Sequence, residues 1–294
     1  MPSMPSIDTQ DFLLSEVFDV KNKVALVTGG GSGIGMMATV ILAANGAKVY
    51  IVGRTKDKLD KVVEVYGHGL TGEIIPLVCD VTNKDGVEGL VKEIESREKC
   101  LCILINNAGI SAEKTTPDGE NAEDSKKKFL GPNIAKEWTD IYATNVVSPY
   151  LMATAFLHLL QKSPEYHPGF SSNIININLV KISQGNFSCN ASMGALVQLN
   201  MMLESVVAKA GLNIRINSIA PRLIASGMTT RMPEGAKGGL PEGAKGGLPA
   251  QRPGNARNVA SAILFVATNQ WADGSNYSPV CRIFDGGYVA REGQ

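Results

Sequence analysis

Neither sign of charge is in excess in this 294-residue chain: 28 Lys and Arg stand against 28 Asp and Glu. A balanced chain offers no electrostatic footprint for nucleic acid or for an anionic membrane surface, so neither is expected as a partner. Long apolar runs are missing too, and no stretch approaches the roughly 18 apolar residues of a membrane span. The start, Met1-Pro-Ser-Met-Pro-Ser-Ile-Asp8, lacks the basic region and apolar run of a secretory leader, which points to a cytoplasmic location. Cysteine is sparse and odd in number: Cys79, Cys100, Cys102, Cys189 and Cys281. Their spacing matches neither a disulfide framework nor a zinc module, so no metal is expected. Cys100 and Cys102, two apart at the start of an expected strand, would nevertheless share one face.

What is present is organised around Val24-Ala-Leu-Val-Thr28 and the turn after it, Gly29-Gly-Gly-Ser-Gly-Ile-Gly35. The four apolar residues predict a short buried strand, and the apolar run Ile34–Ala44 predicts a helix. Between them, glycines permit positive φ and close backbone approach, and a helix N-terminus points N–H groups at an anion. Strand, turn and helix together read as a phosphate cradle. Further strands are predicted at Lys48–Val52, Ile74–Val78, Leu101–Ile105, Ile174–Ile177, Ile214–Ile219 and Ile283–Phe284. Leu59, Val62, Val63 and Tyr66, then Val87, Leu90, Val91 and Ile94, repeat at helical spacing with one buried stripe each. Long helices are predicted from about Asn133 to Leu160 and over Asn190–Lys209, and a shorter one over Val259–Thr268.

Strands alternating with amphipathic helices imply an α/β domain, a parallel sheet covered on both faces. It would span 23–294, after an arm at 1–22. Ser111–Lys128 is polar and reads as a surface insertion. Residues 222–256 are rich in Gly and Pro and contain a perfect tandem repeat, Pro233 to Leu240 and Pro241 to Leu248. Two copies are too few for a solenoid, so the segment reads as a lengthened loop over the site.

At about residues 20–290 the sequence resembles the short-chain dehydrogenase/reductase family. The resemblance rests on Thr28-Gly-x-x-x-Gly-x-Gly35, Asp80-Val81, Asn106-Asn-Ala-Gly109, Asn145, Asn217-Ser-Ile-Ala-Pro221 and Asp285-Gly-Gly287, in that order. It implies a single Rossmann-fold domain with a seven-stranded parallel sheet. It also implies that Gly29, Ser32, Gly33, Ile34 and Gly35 hold a pyrophosphate and ribose, that Asp80 and Val81 flank adenine, and that Asn107, Ala108 and Gly109 line the far side of the cofactor. Met193 and Pro221 would border its nicotinamide end. Arg54 stands about 20 residues past the glycine turn, where an NAD-selecting chain would carry an acid, so NADP(H) is the expected cofactor. The helices from Asn133 and Asn190 resemble a pair that family members pack against a two-fold mate. Tyr150, Met152, Leu160, Leu196, Leu199 and Met202 would give them apolar faces, and a homo-oligomer is expected.

The family's catalytic half is not matched. Members carry a Ser after the fifth strand and a Tyr-x-x-x-Lys on the next helix. Here that helix reads Cys189-Asn-Ala-Ser-Met193. The segment Asn178-Leu-Val-Lys181 stands where the Ser is expected, with Asn178 and Ser183 as possible stand-ins. Asn145 alone remains of the usual four; its family role is to hold a water in the proton relay. After Pro221 comes Arg222, a cation near the expected nicotinamide. A positioned general acid contributes about 10²–10⁴-fold, so ordinary ketone reduction is not expected. Cys189 has no histidine placed to activate it, since His68, His158 and His167 read as remote. Met201, Met202, Met228, Met232 and Trp271 could line an adaptable apolar pocket.

Three functions compete. The first is an NADP(H)-binding enzyme of secondary metabolism that cyclises or isomerises a small organic substrate. The second is an atypical reductase, for example of an iminium, whose carbon accepts hydride without a proton donor. The third is a non-catalytic NADP(H)-binding protein.

Overall fold

The computed structural model describes residues 8–112, 121–178, 186–221, 224, 254–272 and 282–284. Seven strands form one sheet in the order β3-β2-β1-β4-β5-β6-β7. They are β1 (Val24–Thr28), β2 (Lys48–Gly53), β3 (Glu73–Val78), β4 (Ile103–Asn106), β5 (Ser172–Ile177), β6 (Ile214–Pro221) and β7 (Arg282–Phe284), all parallel. Every residue of β1 and β6 is buried, as expected of central strands covered on both faces.

The helices are α1 (Leu14–Val17), α2 (Gly33–Ala44), α3 (Lys56–Tyr66), α4 (Lys84–Arg97), α5 (Ala122–Phe129), α6 (Ile134–Tyr142), α7 (Ser148–Ala155), α8 (Leu157–Gln161), α9 (Ser163–Tyr166), α10 (Phe187–Lys209) and α11 (Ala256–Thr268). Two apolar layers enclose the sheet. On one face Leu42 of α2, Leu59 and Val62 of α3, and Val259 and Ile263 of α11 pack on Val27, Ile51 and Ile105. On the other, Val87, Leu90 and Ile94 of α4, Met152 of α7 and Val207 of α10 pack on Leu26, Tyr50 and Leu104. The helical spacing in α3 and α4 thus predicts their buried stripes correctly at Leu59, Val62, Val87, Leu90 and Ile94.

The arm leads into the domain: after a 3₁₀ turn at Thr9–Phe12 and α1, Val20 inserts fully buried into the core. Three expectations change. The long helix predicted from Asn133 to Leu160 is broken. It runs as α6, a π-turn at Ala143–Val147 and α7, then bends by 51° before α8. Pro149, near the start of α7, cannot donate into the preceding turn, and the π-turn takes up the wider spacing. Helix α10, 23 residues long, is by length and composition apolar enough to cross a membrane, which the absence of a long apolar run in the sequence did not suggest. In the fold it packs along β6 and the π-turn. Lastly, Met152, Leu160 and Leu196, expected on an oligomer face, are core residues, whereas Tyr150 and Met202 are 46% and 58% exposed. The tandem repeat and most of the 222–256 loop, with Met228 and Met232, lie outside the described residues, as do much of the Ser111–Lys128 insertion and Asp285-Gly-Gly287.

Candidate functional site

The sheet order reverses between β1 and β4, which leaves a crevice outside the carboxyl ends of those two strands. The glycine turn enters this crevice from β1. Gly29 adopts φ +67° and Gly33 φ +54°, conformations that favour glycine. A Cβ on Gly35 would lie 2.4 Å from the Gly29 carbonyl oxygen and 2.4 Å from the Asn107 amide nitrogen, so only glycine lets α2 start this close to β1 and β4. Ser32, the N-cap of α2, is exposed and makes no side-chain capping bond, and the first turn carries no acid. The leading N–H groups of α2, with Ile34 among its first residues, are therefore left to an anion. This cradle fits a dinucleotide pyrophosphate.

Thr28 and Asn107 hold the crevice open at its floor. The Thr28 hydroxyl accepts from the backbone N–H of Asn107 and of Ala108, each at 3.0 Å. The Asn107 amide donates to the carbonyls of Thr28 at 3.1 Å and Gly29 at 3.3 Å. Asn107 therefore shapes the cradle with its side chain rather than presenting it to a ligand; Ala108 and Gly109 carry the wall onward, half-buried.

At the other end of the crevice, Arg54 follows β2 and Asp80 follows β3, on neighbouring strands paired from Lys48–Glu73 to Gly53–Val78. Both side chains are exposed, while Val81 is buried against the core. The Asp80 carboxylate accepts from the Thr82 hydroxyl at 2.7 Å and the Thr82 N–H at 3.0 Å. Those bonds hold its pKa below the usual carboxylate value, and the Arg54 charge adds a smaller pull.

Asn145 sits in the π-turn, 1% exposed, with its amide fully committed. Its oxygen accepts from the Ile110 N–H at 2.9 Å, and its nitrogen donates to the Ile110 carbonyl and the Ser192 hydroxyl, both at 3.0 Å. Ser192 in turn donates to the Cys189 carbonyl at 2.7 Å. One amide thus fixes the β4 loop to the helix that carries Cys189 and Met193. Those two residues lie one turn apart on α10, Cys189 half-buried and Met193 buried. Asn186 caps α10 by accepting from the Cys189 N–H at 3.3 Å, and donates to Ser111 and Ala112. Asn178 is buried just past β5, its N–H donating to the Ile219 carbonyl at 2.8 Å. Pro221 ends β6, paired with Phe284. Arg222, Lys181 and Ser183 lie outside the described residues.

No histidine joins this site. His68 is in the loop before β3, His158 on α8 holds Glu95 at 2.7 Å, and His167 is in the loop before β5. Helix-to-strand loops lie at the opposite edge of a parallel sheet. The sequence reading missed Ser192 and Asn186, and a buried amide ladder in which Asn106 donates to Asn176 at 2.8 Å and Asn176 to Asn200. Asn173 and Asn176, three apart in β5, were the available signal.

A glycine cradle at the switch point of this sheet defines a Rossmann-type dinucleotide-binding domain. The model of the family "short chain dehydrogenase" matches residues 23–237. The short-chain dehydrogenase/reductase PhomF of Diaporthe leptostromiformis is 32% identical over 286 residues, covering 92% of this chain and 94% of the relative. The chain belongs to the short-chain dehydrogenase/reductase family. It is also similar to the short-chain dehydrogenase/reductase VdtF of Byssochlamys spectabilis, 28% identical over 97% of this chain and 99% of that protein. The structure described as the Pseudomonas aeruginosa RhlG/NADP active-site complex shares the fold at a TM-score of 0.74, with 24% identity over 92% of this chain and 98% of that one.

Proposed function

We propose that this chain is an NADP(H)-binding family member of secondary metabolism that has lost the family's Ser-Tyr-Lys proton relay, and that its pocket cyclises or isomerises a small organic substrate. The observation that carries the reading is the contrast within one crevice. The cradle from Gly29 to Gly35 is intact, while the adjoining helix carries a thiol and a thioether, Cys189 and Met193, one turn apart at the two positions where family members carry Tyr and Lys. The fungal relatives PhomF and VdtF support a similar biological setting.

The turn backbone and the start of α2 would hold the pyrophosphate, Arg54 the 2′-phosphate, Asp80 and Val81 the adenine side, and Gly109 and Pro221 the nicotinamide side. Nicotinamide, when bound, supplies or accepts hydride. Met193 has no proton to give and Cys189 is a weak donor on a short side chain, so neither matches a phenol as general acid. Asn145 has its amide spent on Ile110 and Ser192, and acts by holding the pocket wall. Reactions limited by positioning and polarisation, such as cyclisation, suit such a pocket better than proton-coupled reduction. Arg222, next after Pro221, is the proposed polarising cation.

The intact cradle also favours a second reading, reduction of an iminium, which needs hydride but no proton at the reacting carbon. Incubation with candidate intermediates, with and without NADPH, separates the two by product mass. An isomer of unchanged mass supports cyclisation; a product formed only with NADPH and heavier by the one hydrogen that an iminium cation takes up as hydride, or by two for the neutral imine, supports reduction. No product with any intermediate leaves the non-catalytic NADP(H)-binding role.

A further inference from the structure

The opposite edge of the sheet carries a cluster that the dinucleotide site does not use. Cys100 and Cys102 lead into β4, both buried as free thiols, with their sulfurs 4.0 Å apart. Alternation along the extended chain puts the two on one face, as the sequence predicts. What the sequence does not predict is His167, sixty-odd positions away. The turn from α9 to β5 brings a ring nitrogen of His167 within 4.8 Å of both sulfurs. Two backbone bonds fix that turn: His167 N–H donates to the Ser163 carbonyl at 2.8 Å, and Phe170 N–H to the His167 carbonyl at 3.0 Å. Ser163 itself is fully buried. Its hydroxyl lies against Cys102 without a well-directed hydrogen-bond partner.

We propose that Cys100, Cys102 and His167 form a binding site for a thiophilic d¹⁰ cation, Zn²⁺ in the first instance, with the Ser163 hydroxyl or a water in the fourth position. The distances suit it. Zn–S bonds of about 2.3 Å in a tetrahedron set the sulfurs roughly 3.8 Å apart, close to the spacing already present. Thiolate and imidazole donors select zinc-like ions over the hard cations that prefer oxygen. Half-buried His167 gives access, and burial of the two thiols excludes competing water. Lys23 and Asp19 flank the cluster, 3.8 Å from each other, with Lys23 also over the Phe170 ring. Two thiolates cancel the charge of a divalent ion, so the Lys23 ammonium faces a neutral complex. The ion would tie the start of β4 to the turn before β5, a strand's length from the dinucleotide cradle. Its role is therefore to staple the fold.

The test uses tag-free, reduced, full-length protein titrated with Co²⁺ as a spectroscopic probe and with Zn²⁺ in competition. The expected result is one equivalent bound, with sulfur-to-cobalt charge-transfer bands and visible bands of tetrahedral intensity. Zn²⁺ should displace the Co²⁺. At a hundredfold excess over its Kd, Zn²⁺ should also raise the melting temperature by roughly 4–5 °C. Cys100→Ser should remove the charge-transfer bands. His167→Gln, at a half-exposed position that leaves the core intact, should weaken binding at least tenfold. Cys189→Ala should leave binding unchanged. The proposal is overturned if the reduced wild type gives no cobalt–thiolate bands, if Cys100→Ser retains them, if His167→Gln binds as well as wild type, or if binding follows Cys189 instead.

Discussion

Replacing Gly35 by alanine perturbs the cradle at one atom. The added Cβ would sit 2.4 Å from the Gly29 carbonyl oxygen and 2.4 Å from the Asn107 amide nitrogen. The first is backbone and cannot rotate away; the second is held by bonds to the Thr28 and Gly29 carbonyls. Helix α2 must therefore retreat from β1, carrying its leading N–H groups with it. Overpacking of this kind costs about 1–3 kcal/mol, which lowers the melting temperature by roughly 2–5 °C in a domain of this size. Displacing the anion site should weaken NADPH at least tenfold, about 1.4 kcal/mol or more. Gly89→Ala is the matched control. Gly89 lies in α4 with no atom within 4 Å of a new Cβ, so the alanine should stabilise by about 0.5–1 kcal/mol and leave NADPH binding alone. The assays are fluorescence titration with NADPH and thermal melting of both variants. A Gly35→Ala protein that melts and binds like wild type would refute the close-approach argument.

Three further outcomes are expected. Arg54→Asp should narrow or reverse a preference for NADPH over NADH, because a charge-assisted contact to the 2′-phosphate is worth about 1.5–3 kcal/mol; equal affinities of the unaltered protein for the two cofactors would contradict this. Asn145→Ala should destabilise by about 2–4 kcal/mol in denaturant unfolding, since it strips partners from both backbone groups of Ile110 and from Ser192; a loss of activity at full stability would instead place Asn145 in the chemistry. Tyr150→Glu with Met202→Glu should convert a homo-oligomer to monomer in sedimentation at micromolar concentration, because these two, unlike Met152 and Leu160, are exposed; sedimentation of the unaltered chain as a monomer would remove the basis for it.

The fold was legible because its signals are local. Each strand is a short β-branched or apolar run, the stripes of α3 and α4 repeat at helical spacing, and the glycine turn sits between a strand and a helix. The cradle was legible for the same reason, down to Gly35. The rest depends on who meets whom. That Asn107 would turn to Thr28 and Gly29, and Asn145 to Ile110 and Ser192, depends on contacts between residues 35–79 positions apart. The π-turn that sets Asn145 has no periodic signature, so a single long helix was the natural reading. The oligomer face was misjudged because apolar residues on α7 and α10 look alike whether they meet the sheet or solvent. His167 joins Cys100 and Cys102 only through the turn from α9 to β5.

The most direct test of the central claim is product mass on the true substrate, followed in parallel for wild type, Cys189→Ala and Arg222→Ala, each with and without NADPH. The wild type is expected to give an isomer of unchanged mass. Arg222→Ala should lower the rate by about 10²–10³, the usual effect of losing one charged donor to the transition state, and Cys189→Ala should have a smaller effect. Wild-type protein that readily reduces simple ketones with NADPH, giving products two hydrogens heavier, would contradict it.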